Sequence, residues 1–439
     1  MGLDPRWLEL SNLPAPSVSF SIPSLYDDTT IDARLYHPSR NSWRRKGAII
    51  AHPYAPFHGS MDDHVVHLLT NVLLASGFVV GLFNFRGAGT SKARTSWSGK
   101  AEDLDYISFV GFFVIYMDHL EPDKLPVRVS SNSVQREVEN STKEPITLIL
   151  GGYSYGSLIT SHLPEIGTIF TKFVNPVRGT AAHCIRRRAI CLAVQRNSEV
   201  RLALAGRRGR PVTARDVWGG APRPHSVATG GLRTSLELED AGHIRRTMFN
   251  KESRESLDTF IRRKSMDSLR SIKSTLSNKS ARKIFHYRRR DEDRDSEECL
   301  VPFGPVPRVP IPTVKTYYLL VSPLVGPASY LATSFSRISW LSRFSLTSIT
   351  TKDPMYEPED RKFAKHPTLA IFGNNDVFVS HKAILKWAKD LSSQAGSTFE
   401  YREIRWADHF WSELRGAAQL RRNVGDWVDN VVAGKLPCS

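Results

Sequence analysis

An apolar run that stops at two glycines and a lone serine constrains this chain more than anything else in it. Residues Thr147-Leu148-Ile149-Leu150-Gly151-Gly152-Tyr153-Ser154-Tyr155-Gly156 read as a buried strand entering a G-x-S-x-G turn. That pattern suits a strand-to-helix elbow, where the serine sits on a strained turn and small neighbours let strand and helix approach closely. Such a turn pushes the hydroxyl out of the sheet and sets the first N–H groups of the helix beside it. Those donors and the helix dipole favour negative charge where a tetrahedral oxyanion would form. The pentapeptide alone also fits a plain glycine-rich turn. The strand before it and Leu158-Ile159 after it favour the elbow.

A serine hydroxyl is a poor nucleophile at neutral pH, so it needs a general base, and the base needs an orienting carboxylate. At an elbow of this kind the chain order is Ser, then Asp or Glu, then His. One good pair follows Ser154. A second buried strand, Pro367 to Gly373, ends in Asn374-Asn375-Asp376, which places Asp376 on a loop at a strand's carboxyl end. A helical pattern around Ile384, Leu385, Trp387, Ala388 and Leu391 comes next, then the short strand Phe399 to Ile404. His409 follows in Trp406-Ala407-Asp408-His409-Phe410-Trp411. Neighbouring loops of a parallel sheet require this spacing between acid and base. Asp408 has two readings: a rival orienting carboxylate, or a residue that fixes the turn through its own backbone.

The N-terminal part supplies a strand, Lys46 to Ala51, leading into the loop His52-Pro53-Tyr54-Ala55-Pro56-Phe57-His58-Gly59-Ser60-Met61-Asp62. A second oxyanion N–H is expected from this loop, near Tyr54 or Ala55. Helix pattern, then strand Phe78 to Phe85, lead to Arg86-Gly87-Ala88-Gly89-Thr90-Ser91. A phosphate loop is the rival reading there, but a G-x-G without a third glycine or a Lys-Ser/Thr pair supports it weakly.

With these segments in order, the chain resembles the serine hydrolases of the alpha/beta-hydrolase superfamily. It is most similar to small hydrolases carrying H-P-H-P-x-x-G-G-x-M-D, N-F-R-G-x-G-x-S, G-F-S-x-G and G-A-D-H-F-F. The matching segments are His52-Pro53 through Met61-Asp62, Asn84 through Ser91, Gly152 through Gly156 and Ala407 through Trp411, within residues 30 to 165 and 310 to 430. The resemblance implies a mostly parallel sheet flanked by helices, with Ser154 as nucleophile, His409 as base, Asp376 as orienting acid and Tyr155 as an oxyanion N–H donor. The first loop departs from the pattern, since Tyr54-Ala55 stand for the second His-Pro pair and His58 for a glycine.

Charge divides the chain. The net charge is +16, yet residues 171 to 290 hold 28 Lys+Arg against 9 Asp+Glu, leaving 32 against 35 elsewhere. The expected organisation is a core in two parts, 1–170 and 310–439, interrupted by a basic, partly disordered cap insertion at 171–309. Within it, residues 172 to 250 show little sustained periodicity. Residues 257 to 276 place Leu257, Ile261, Leu269, Ile272 and Leu276 on one helical face, with basic residues around the remainder. This insertion reads as a solvated excursion, or as a basic amphipathic surface meeting an anionic membrane; nucleic acid is disfavoured because no aromatic interleaving accompanies the charge. Four scattered cysteines without C-x-x-C spacing indicate neither zinc nor a disulfide framework. No apolar run approaches a spanning helix, and the start lacks an apolar leader, so a cytoplasmic protein is the default expectation.

The expected chemistry is acyl transfer from a small-molecule ester or thioester to Ser154, with no metal or organic cofactor. Two alternatives stay open: a catalytically idle hydrolase fold that binds a partner, and a peptidase on the same core.

Overall fold

Strands that carry helices on both faces have no wet side, so they read as unbroken apolar runs. Four such runs stand side by side at the centre of this molecule. In the computed structural model the described residues are 10–38, 45–96, 98–121, 144–207, 312–325 and 360–435. Eight strands form one sheet: β1 (Val18–Pro23), β2 (Thr30–Tyr36), β3 (Lys46–Ala51), β4 (Val79–Phe83), β5 (Ile146–Tyr153), β6 (Val314–Val321), β7 (Thr368–Gly373) and β8 (Phe399–Ile404). Their order is β1-β2-β4-β3-β5-β6-β7-β8. β2 runs antiparallel to both β1 and β4, and every other pairing is parallel. This is the alpha/beta-hydrolase fold that the resemblance implies.

Helices α1 (His64–Ala75) and α8 (Leu414–Val432) cover one face, burying Val65, Leu68, Leu69, Leu420, Val424 and Val428 against it. The other face carries α2 (Lys100–His119), α3 (Tyr155–His162), α4 (Ile166–Val174) and α5 (Ala181–Arg207). The short α6 (Arg361–Lys365) leads into β7, and α7 (His381–Ser392) connects β7 to β8. Between Tyr106 and Met117 α2 is apolar nearly all round, as a helix segment enclosed on every side must be. The sheet lies on one flank, and α5 packs along it on another.

That second contact differs from the sequence expectation over 172–207, the part of 172 to 250 that is described. Ala182, Ile185, Ala189, Leu192 and Ala193 form a buried stripe at helical spacing. The stripe is faint in sequence because most of its members are small and Arg186-Arg187-Arg188 runs through it. One of those arginines is itself buried, and Arg186 donates to the carbonyls of Phe173 and Val174 at the end of α4. Asn197 of α5 likewise donates to the His119 carbonyl and accepts from Glu121 N–H, tying the end of α2. The amphipathic pattern at 257–276, the long loop read at 121–144 beyond residue 121, and the return segment 301–307 lie outside the described residues.

The parallel register brings the carboxyl ends of five strands to one edge. Ala51 pairs with Gly152, Tyr153 with Val321, Val321 with Ile371, and Gly373 with Ile404. In sheets of this type ligands bind at that edge.

Candidate active site

The turn after β5 is built from close approach. Ser154 sits at φ 56°, ψ −116°, a strained conformation for a residue with a Cβ, which costs about 1–3 kcal/mol. A Cβ on Gly152 would lie 2.2 Å from the Gly156 carbonyl carbon, and one on Gly156 would lie 2.3 Å from the Ala51 carbonyl oxygen. Only hydrogen fits at either place. Ser157 Oγ fastens the turn, donating to the carbonyls of Gly152 and Val321. α3 therefore begins directly at Tyr155, and its first N–H groups have no acceptor within the helix.

His409 Nε2 lies 2.7 Å from Ser154 Oγ, and His409 Nδ1 lies 2.6 Å from Asp376 Oδ2. A carboxylate only accepts, so Nδ1 carries the proton and Nε2 is free to accept from the serine hydroxyl. The other carboxylate oxygen of Asp376 accepts from the N–H groups of Phe378 and Val379, which fixes the acid in turn. The imidazole and carboxylate are almost wholly enclosed, at 3% and 2% side-chain exposure, so water does not compete for the bond between them. Ser154 thus joins one hydrogen-bonded line with a base 255 positions later in the chain and an acid 33 positions before that base. Asp408 does not reach the imidazole nitrogen; its carboxylate accepts from Ser412 N–H and its carbonyl from Trp411 N–H, which closes the turn.

The loop after β3 touches the elbow. Tyr54 precedes a short helical turn, Ala55–Phe57, and its ring meets that of Tyr155 edge-on at 4.9 Å. The loop is anchored by His52, which is fully buried: Nδ1 donates to the Pro53 carbonyl at 2.6 Å and Nε2 accepts from Phe85 N–H at 2.8 Å. Burial pushes the His52 imidazole down to about 4, so it stays neutral and can play both parts. His58, where the resembled pattern has glycine, adopts φ 65° and lies exposed. Tyr54, with Ala55 after it, thus meets Tyr155, the residue that follows Ser154.

The turn at 86–91 has a structural use. Arg86 is buried and bonds both oxygens of Asp105, with Asp27 and Ser24 completing the cluster. Burial works against its charge, but the bonds it donates to Asp105 and Asp27 outweigh that and hold the guanidinium protonated. Asn84 accepts from Met61 N–H through its side chain and from Ser91 Oγ through its carbonyl. Backbone N–H groups of Arg86, Gly87, Ala88 and Ser91 all donate within the protein, so four of the six donors a phosphate cradle would draw on are already taken.

Residues that hold the base were not singled out in the sequence. Tyr153 Oη donates to the His409 carbonyl at 3.0 Å, Ser322 Oγ approaches it at 3.4 Å, and Trp411 Nε1 donates to Ser322 Oγ. Asn374 Oδ1 accepts from Trp406 N–H. Position within the motifs was the only available signal. Apolar side chains surround the imidazole: the ring of Phe378 stands edge-on to His409 at 4.7 Å, and Phe410 packs on both. Among the described residues no three His, Cys, Asp or Glu side chains group as a metal site needs, and no helix is long and apolar enough to cross a membrane.

No family model matches the chain. An uncharacterized protein of Schizosaccharomyces pombe is 28% identical over 117 residues, 27% of this chain; the match spans 39% of that relative's length. Among solved structures, the chain is similar to an alpha-beta serine hydrolase homologue from Coxiella burnetii (12% identity, TM-score 0.41, covering 94% of this chain and 99% of that one). It is also similar to a serine hydrolase without lid from Xanthomonas campestris (13%, TM-score 0.40, 97% and 98%) and to an esterase from Pyrococcus furiosus (11%, TM-score 0.41, 98% and 96%).

Proposed function

We propose that this protein is a serine hydrolase that cleaves carboxylic esters or thioesters through an acyl-enzyme. The observation that carries the reading is the unbroken line from Ser154 Oγ through His409 to Asp376, at 2.7 and 2.6 Å. His409 Nε2 takes the serine proton as Oγ attacks the carbonyl carbon, and Asp376 stabilises the imidazolium that forms. The tetrahedral oxyanion is received by the N–H of Tyr155 and by one from Tyr54 or Ala55. His409 then returns the proton to the leaving alcohol or thiol as the tetrahedral intermediate collapses. Water enters with His409 again as base, and Ser154 is released with the carboxylic acid. No step needs a metal or organic cofactor.

The apolar rings beside His409 favour substrates whose groups next to the carbonyl are uncharged. A panel of aryl esters, acyl thioesters and aminoacyl amides, run with wild type and Ser154→Ala, tests the reading. Turnover of esters or thioesters that vanishes in the variant is expected. Turnover confined to the amides would point to a peptidase, and none at all to a binding protein on this fold.

A further inference from the structure

We propose that Tyr153, the residue immediately before the nucleophile, is a positioning residue for His409, its hydroxyl holding the carbonyl of the base-bearing loop through one hydrogen bond; this rests on the hydrolase reading above. His409 lies in no helix or strand, and its loop passes through positive φ at Trp406 (68°) and Trp411 (55°). Local backbone preference opposes such a path, so tertiary bonds must hold it. At the His409 carbonyl itself the nearest donor is Tyr153 Oη at 3.0 Å; Ser322 Oγ, which accepts from Trp411 Nε1, donates from farther off at 3.4 Å and is the weaker partner. Tyr153 and His409 are each 2% exposed, so water does not replace the bond. Burial also raises the Tyr153 hydroxyl, which keeps it a donor at every working pH. The arrangement couples the two reacting side chains: one dipeptide carries the nucleophile on Ser154 and, through Tyr153, fixes the distance at which its base stands.

Tyr153→Phe removes the hydroxyl and keeps the ring, whose centroid lies 5.9 Å from that of His409, so packing is preserved. Expected is a fall in kcat of about tenfold with KM within about twofold of wild type, because a misaligned base slows the chemical step and not binding. Ser322→Ala should fall by less. The proton shared by His409 Nδ1 and Asp376 gives a far-downfield proton resonance that needs no substrate, and in Tyr153→Phe it should broaden or shift. Unchanged kcat with an unchanged resonance overturns the proposal. So does a variant whose KM and melting temperature degrade in step with kcat, since that marks general loosening. If wild type neither hydrolyses any ester nor reacts with an acylating probe, the hydrolase reading fails by itself; the resonance alone then decides whether Tyr153 orients the imidazole.

Discussion

The nucleophile and its base are held in opposite ways. Ser154 is fixed by main chain: glycines on either side allow strand, helix and the end of β3 to touch, and no side chain larger than hydrogen fits between them. His409 is fixed by side chains reaching across the sheet edge from β5, from the loop after β6 and from the loop after β7. The first device is local and all-or-none. The second is distributed, so losing one bond should shift the base without unfolding the protein.

Substitutions at the chemistry itself set the upper limit. Ser154→Ala should lower kcat for ester hydrolysis by about 10⁴-fold or more, and Asp376→Asn by about 10⁴-fold, both with unchanged melting temperature. Equal activity in either variant would remove the assignment of that residue. Gly156→Ala probes the main-chain device; its Cβ would fall 2.3 Å from Ala51 O, and a loss of about 4 kcal/mol or a failure to fold is expected in denaturant titration. If the variant folds with wild-type stability, the elbow is looser than the comparison requires. Asn374→Ala probes the side-chain device by freeing the solvent-exposed Trp406 N–H, at about 0.5–1 kcal/mol and a several-fold loss of kcat.

Acid tests the scaffold beneath both. His52 and His37 are buried and pushed down to about 4 and about 3, burial being the main cause, with the Arg196 charge adding to it at His37. Both are neutral in the folded protein, so the unfolded chain takes up protons first below the ordinary value of 6.5. Their contribution to stability is full above about 6.5 and falls as the pH drops towards 4, measurable as a melting temperature declining across that window. Replacing His52 by Gln should flatten part of the decline. The smallest effect is at His58, where Gly should gain up to about 1 kcal/mol by relieving φ 65°.

What the sequence disclosed follows the same division. β3, β4, β5 and β7 were legible because helices on both faces leave them apolar almost throughout, and the elbow was legible because its constraint lies within five residues. Ser154, Asp376 and His409 could be put in order along the chain, since loops at strand ends follow from the strands. Tyr153 could not be linked to the base, because its partner is 256 residues away and nothing local marks the contact. β1, the edge strand, and β2 beside it have mixed burial, which blurs their pattern. α5 escaped notice because its inward stripe is mostly alanine amid arginines that look solvated, although Arg186 is buried.

The most direct measurement treats the pure protein with a fluorophosphonate and maps the adduct by peptide mass spectrometry. Stoichiometric modification of Ser154 is expected, abolished in Ser154→Ala and strongly slowed in His409→Ala. An intact protein that stays unmodified, or is modified at a different serine with equal speed in both variants, would contradict the assignment of Ser154 as nucleophile.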